Sequence, residues 1–186
     1  METINANYLN NLKKLFQYYK GLGDKAFSQI KDEDIHWSFN EESNSIAVIV
    51  KHIAGNSLSR WTDFFHSDGE KDWRDRDSEF EDTLTDKATM IAYWEKGWEC
   101  FFDVLNSLSD DDLMRVVYIR NEGHTVLEAL NRHLAHSSMH IGQIVFIAKM
   151  IAGPNWQTPT IPKGQSKAFN NNKFAMEKER KFFSGK

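Results

Sequence analysis

Apolar residues recur at helical steps in four stretches of the chain. From about residue 4 to residue 30, Leu9, Leu12, Leu15, Phe16, Tyr19, Leu22, Phe27 and Ile30 fall on one face, the spacing of an amphipathic helix. Gly21 and Gly23 weaken its middle. The second stretch, about 45 to 66, opens on Ser45, a good N-cap, and carries Ile46, Ile49, Val50, Ile53, Trp61 and Phe64. The third, about 85 to 108, turns Ile91, Trp94, Trp98, Phe101, Phe102 and Leu105 inward. The fourth, about 125 to 152, starts with Thr125 and Glu128 spaced as a capping box, and Gly153-Pro154 stops it. Its stripe is Val126, Leu127, Leu130, Leu134, Ile141, Ile144, Val145, Ala148 and Ile151.

The connections are polar. Residues 31–44 form a short one. Residues 67–84 contain SDGEKDWRDRDSEFED, which reads as a solvated link with local ion pairing that Trp73 and Phe80 pin to the helices. Residues 109–124 contain RVVYIRNEGH, compatible with two short strands around Asn121-Glu122-Gly123 or with a plain loop. The tail from 153 to 186 holds all three prolines and is expected to be irregular apart from a short helix near 174–182. There is no repeat and no second core. The expected fold is all-α: one domain over residues 1–186, built as a four-helix bundle with long connections.

Composition narrows the function classes. The 186 residues carry a formal net charge of -4 without a Lys/Arg block, which disfavours a nucleic-acid partner. The most apolar run, IGQIVFIAKMIAG, is interrupted by Gln143 and Lys149 and is too short for a bilayer span. Cys100 is the only cysteine, so no internal disulfide forms; it is expected to be a buried, inert thiol. The N-terminus lacks a basic region followed by an apolar run, and a cytoplasmic location is expected.

The chemistry concentrates in HLAHSSMHIGQI, residues 133–144, which packs three of the seven histidines into eight residues. His136 and His140 stand one helical turn apart on one face and can share a metal ion. The glutamate of the H-E-x-x-H zinc helix is missing, so a zincin-type protease is a poor reading. His133 lies about 10 Å along the axis from His140, too far for one ion to bind both, which leaves it a supporting role. A catalytic zinc site takes three protein ligands and keeps one open position. His52, at the edge of the second apolar stripe, offers the third, with Asn56 and Arg60 one and two turns further along and Gly55 permitting close approach of another backbone or a ligand. Read from the residues alone, these imidazoles serve equally well as hydrogen-bonded structural groups.

KHIAGN in the second stretch together with HSSMHIGQI in the fourth resembles the DinB-like superfamily, the DinB/YfiT-like metalloenzymes. NSIAVIVKHIAGNSLSRWTDFFHSDGEKDWRDRDSEFE and the tail motif TIPKGQS resemble an uncharacterised bacterial branch of it, over nearly the whole chain. The resemblance implies a bundle in up-down-down-up order and a divalent metal held by His52, His136 and His140. It also implies a chemistry, because characterised relatives include S-transferases and an isomerase that use low-molecular-weight thiols. A metal with an open position lowers the pKa of a bound thiol, or of water for hydrolysis.

Zinc or nickel suits the imidazoles best, and iron or manganese is compatible. Gln143 and Asn56 are candidates to support ligating imidazoles, and Arg60 to anchor an anionic group or to pair with Asp63 or an acid of the 68–82 connection. The expected partner is a small-molecule substrate, with a homodimer as the expected assembly. A non-catalytic metal-binding bundle and a metal-free interaction protein are the rival classes.

Overall fold

The protein is described by a computed structural model covering residues 2–181. It is mainly helical: α1 (Ile4–Phe27), α2 (Ile46–Trp61), α3 (Lys87–Ser107), α4 (Val126–Ala152) and a short α5 (Ser166–Phe174), with one hairpin of β1 (Val116–Ile119) and β2 (Glu122–Thr125). Each long helix starts on a side-chain cap. Thr3, Ser45, Asp86 and Thr125 accept from backbone N–H groups of the first turn, and the Thr125–Glu128 capping box is closed in both directions. Gly153, at φ +52°, ends α4 as expected.

The principal packing pairs α2 with α3 and α1 with α4, and α2 also meets α4. One apolar cluster joins all four long helices and the hairpin, with Phe16, Trp61, Trp94, Phe101, Leu105 and Leu130 fully buried. Helix α1 runs unbroken through its glycines. At Gly23 a Cβ would press within 2.8 Å of the Trp94 ring, so the small residue lets α3 come close.

Three boundaries differ from the periodic pattern. Helix α2 stops at Trp61 rather than near 66, because Thr62 turns extended and Asp63 takes φ +50°, a conformation that breaks the helical path. Phe64 is still buried, by the turn that follows rather than by the helix. Helix α1 ends at Phe27, closed by Ser28. In the tail the helix falls at Ser166–Phe174 rather than at 174–182; the chain after Phe174 is not helical up to 181, and Phe182 lies outside the described residues.

The hairpin turn sits one residue earlier than the Asn121-Glu122-Gly123 reading. Arg120 and Asn121 both adopt positive φ, a type I′ arrangement, and Ile119 pairs with Glu122. The strain is compensated from the 67–84 connection. Asp68 accepts from the backbone N–H of Arg120 and of Asn121, both at 2.8 Å, and Gly69 N–H donates to Tyr118 O at 2.8 Å. The connection after α2 is thereby tied to the hairpin that precedes α4.

No helix among the described residues is long and apolar enough to cross a membrane. Cys100 is half-buried rather than buried, with its sulfur 3.6 Å from the Thr62 hydroxyl on the α2–α3 side.

Candidate metal centre

Helices α2 and α4 bring His52, His136 and His140 together. One ligand-type nitrogen from each lies within 4.8 Å of the others, so the group could hold a metal ion. The ring centroids form a near-equilateral triangle with sides of 5.1, 5.0 and 4.6 Å, and each pair of rings is close to perpendicular. His52 is buried, and the other two are half-buried.

The carboxylate that supports this cluster is not one the sequence pattern singles out. Glu79, in a 3-10 turn at Ser78–Phe80 within the charged connection, is 4% exposed. Its Oε2 lies 2.9 Å from His52 Nδ1. Arg74 clamps the same carboxylate, Nε to Oε1 at 2.7 Å and Nη2 to Oε2 at 2.9 Å, while its Nη1 reaches Glu70 Oε2 at 3.1 Å. Burial works to raise the Glu79 pKa, but hydrogen bonds from His52 and Arg74 outweigh it and hold the carboxyl below its ordinary range. An ionised carboxylate only accepts. His52 Nδ1 therefore carries the proton, and its Nε2 lone pair faces the cluster.

The local pairing expected within residues 67–84 is present, and the expected solvated setting is corrected at Arg74 and Glu79. Arg74 and Glu79 pair with each other in the interior instead of facing solvent. Lys51 holds the segment down through the Glu81 carbonyl at 3.2 Å and the Thr83 hydroxyl at 2.7 Å. Gly55 makes the space: a Cβ there would overlap the Glu79 carboxylate, lying 2.9 Å from its carboxyl carbon. Trp73 is exposed, whereas Phe80 stacks on the His52 ring at 4.9 Å.

The distances allow a test of whether an ion fits. His52 Nε2 and His136 Nε2 are 3.1 Å apart. Bonds of about 2.0–2.1 Å in a tetrahedral site hold two nitrogens roughly 3.3 Å apart, so this pair needs almost no movement. His136 is pushed down to about 3, by burial first and then by the neighbouring His140, His52 and arginines; it is neutral at pH 7, as a ligand must be. Burial likewise lowers His140, partly opposed by its hydrogen bond to Gln143. That bond, Nδ1 to Oε1 at 2.7 Å, fixes the His140 ring as the sequence suggested for Gln143. The residues fit a divalent ion.

The other candidates separate. His133 is 1% exposed, and neither ring nitrogen has a hydrogen-bond partner. It packs among Phe101, Trp61 and Phe16 at 4.5, 5.1 and 5.5 Å, and burial drives its pKa far down, leaving a neutral core residue. Asn56 and Arg60 are each 6% exposed and line a cavity of about 160 Å³ with His52 and His136. Arg60 does not pair with Asp63; no hydrogen bond or ion pair involves its side chain among the described residues. None of the described tail residues lines that cavity. The tail is fastened elsewhere, with Gln29 and Gln157 exchanging bonds of 3.0 and 2.7 Å.

The fold and this cluster define a mainly helical protein with a three-histidine group able to hold a metal. Comparison with protein families places it further. The chain belongs to the family described as "Protein of unknown function (DUF1572)", whose model matches residues 3–165 and so spans both histidine-bearing helices. Comparison with curated proteins and with solved structures gives no match.

Proposed function

We propose that this chain is a metal-dependent enzyme of the DinB-like type: a single-domain four-helix bundle in which His52, His136 and His140 hold a divalent transition metal, zinc or nickel first. The observation that carries the reading is the Glu79–His52 pair at 2.9 Å beside two further imidazoles. A buried carboxylate that sets the tautomer of one imidazole is the usual support of a metal-ligating histidine. Three protein ligands leave a position open, and the Asn56–Arg60 cavity lies against His52 and His136, which favours catalysis over a closed structural site.

The reaction proposed is transfer of a small thiol to an electrophilic carbon. The sulfur forms the new C–S bond, the thiol proton passes to solvent, and the leaving group departs with the electrons of its broken bond. When bound, the ion supplies Lewis acidity that lowers the pKa of a thiol, or of water in a hydrolytic variant. The chain's own groups do the rest. Glu79 and Gln143 orient two imidazoles, Arg74 keeps Glu79 ionised, and Phe80 stacks on the His52 ring. The homodimer and the cytoplasmic location expected from the sequence belong to this proposal; sedimentation of the purified protein checks the former.

Elemental analysis of tag-free protein beside His52→Ala, His136→Ala and His140→Ala tests the site. One metal per chain, lost in each variant, is expected. Chelator-sensitive consumption of thiol with an electrophile panel then tests the reaction. Wild-type protein that holds no metal after reconstitution with zinc and with nickel would leave a helical interaction protein.

A further inference from the structure

The cavity beside His52 and His136 is lined by five arginines and, among the described residues, no carboxylate. They arrive from four parts of the chain: Arg60 from α2, Arg74 and Arg76 from the connection after it, Arg120 from the hairpin turn and Arg132 from α4. Two have counter-charges, because Glu79 and Glu70 hold Arg74 and Glu70 also holds Arg120 at 3.2 Å. Among the described residues the other three make no ion pair, and Glu70 reaches Arg60 only through space, opposing the fall in its pKa. Arg76 lies over the Phe80 ring at 5.4 Å, and Arg132 reaches His124 at 3.4 Å; both are exposed at the rim.

Arg60 is the unusual member. It is 6% exposed, and its Nε is buried without a hydrogen-bond partner. Burial, with Arg132 and Arg74 nearby, lowers its pKa to about 10, so it still carries its charge at neutral pH. A buried guanidinium without an anion is costly to the fold, and the neighbouring cations add to that cost. A ligand that brings the anion into the cavity removes it.

The geometry points to a binding site for a compact oxyanion group of the substrate, a phosphoryl or dicarboxylate group. Arg60 is its buried counter-charge, and Arg76 and Arg132 reach it from the rim. Guanidinium forks match such oxygens, and arginines arriving from several directions suit a multivalent anion better than a single carboxylate. The volume, about 160 Å³, is well below the several hundred Å³ that encloses a drug-sized molecule. The cavity therefore takes the charged end of a substrate and leaves its reacting part at the imidazoles. This inference rests on the metal-enzyme reading for its meaning but not for its test.

Calorimetric titration with inorganic phosphate and with malonate, at low and high salt, tests it on wild type, Arg60→Met and Arg132→Gln. Metal content is measured on the same samples, chelator-stripped, zinc-loaded and nickel-loaded. Single-site binding is expected, at least roughly tenfold weaker in Arg60→Met and a few-fold weaker in Arg132→Gln, with affinity falling as salt rises. The tighter of the two anions identifies the group. Arg132 is exposed, so its variant keeps the test open if Arg60→Met does not fold. Absence of binding by both anions, or equal affinity in wild type and variants, overturns the proposal. Anion binding by a chain that retains neither zinc nor nickel after reconstitution sinks the metal reading alone, and metal retained without anion binding sinks this one alone.

Discussion

Glu79→Gln separates the two roles that the buried carboxylate combines. The amide matches the carboxylate in shape but carries no charge and accepts through one oxygen only. In the native site Oε2 accepts from both His52 Nδ1 and Arg74 Nη2, while Oε1 accepts from Arg74 Nε. The less costly amide orientation keeps its oxygen at the Oε2 position and turns its NH2 against the Arg74 Nε–H. Arg74, whose side chain is 3% exposed, then keeps only Glu70 as counter-charge. Breaking a buried pair costs about 3–5 kcal/mol when the survivor has no partner. With Glu70 still present, about 2–3 kcal/mol is expected from urea unfolding of the metal-stripped protein. The His52 bond survives in uncharged form, and metal affinity should fall about 10- to 100-fold in competition with a chromophoric chelator. Glu70→Gln is the matched control, because it touches Arg74 but not His52. It should lower stability and leave metal affinity near wild type. Equal metal affinity in Glu79→Gln and wild type, or an equal loss in Glu70→Gln, would refute the argument that Glu79 acts through His52.

Three further outcomes are expected. His133 stays neutral in the fold because burial pushes its pKa well below 6.5. The unfolded chain takes up that proton below its ordinary pKa, so the stability is full above pH 6.5 and is lost as pH falls, by up to about 1.4 kcal/mol per unit. In metal-stripped protein His133→Leu should flatten this acid loss by about that slope between pH 6 and pH 5 and raise stability near pH 7 by about 1 kcal/mol; an unchanged slope would contradict a neutral core imidazole. His136, held down to about 3, adds a slope of the same sign, which His133→Leu leaves in place. Gly55→Ala should displace Glu79 and weaken metal binding about tenfold or more, measured by the same chelator competition, although Ala is the better helix former. Gln143→Ala should weaken metal binding by about tenfold while shifting the urea midpoint little, since the amide is on the site's outer side and its main partner is His140.

The helices and the imidazoles were legible because each depends on information local to one stretch. Periodic Leu9, Leu12 and Phe16, or the Thr125–Glu128 cap, specify a helix regardless of what surrounds it. His136 and His140 share a face by spacing alone, and His52 declares itself by standing at the edge of an apolar stripe. Glu79 has no such local signature. Its segment is among the most charged in the chain, and composition assigns such a run to water. What buries it is tertiary: Lys51 holding the segment's carbonyls, Asp68 fastening the hairpin tip, and the absence of a Cβ at Gly55. The one residue-level signal is that glycine, three positions after His52 on a buried helix; close approach of a backbone or a ligand is the expectation there, and the Glu79 side chain takes that place instead.

The same separation of local from long-range information governs charge. Arg60, Arg74, Arg76, Arg120 and Arg132 never form a block, and a net charge of -4 gives no hint that they converge. Field strength in a cavity depends on which charges share its walls and which are already paired, not on their total. The 67–84 connection makes this concrete, since it supplies both the carboxylate behind His52 and two of the five arginines. A segment that composition marks as a solvated linker thus builds the outer half of the site, and truncating it should abolish the proposed metal and anion binding together.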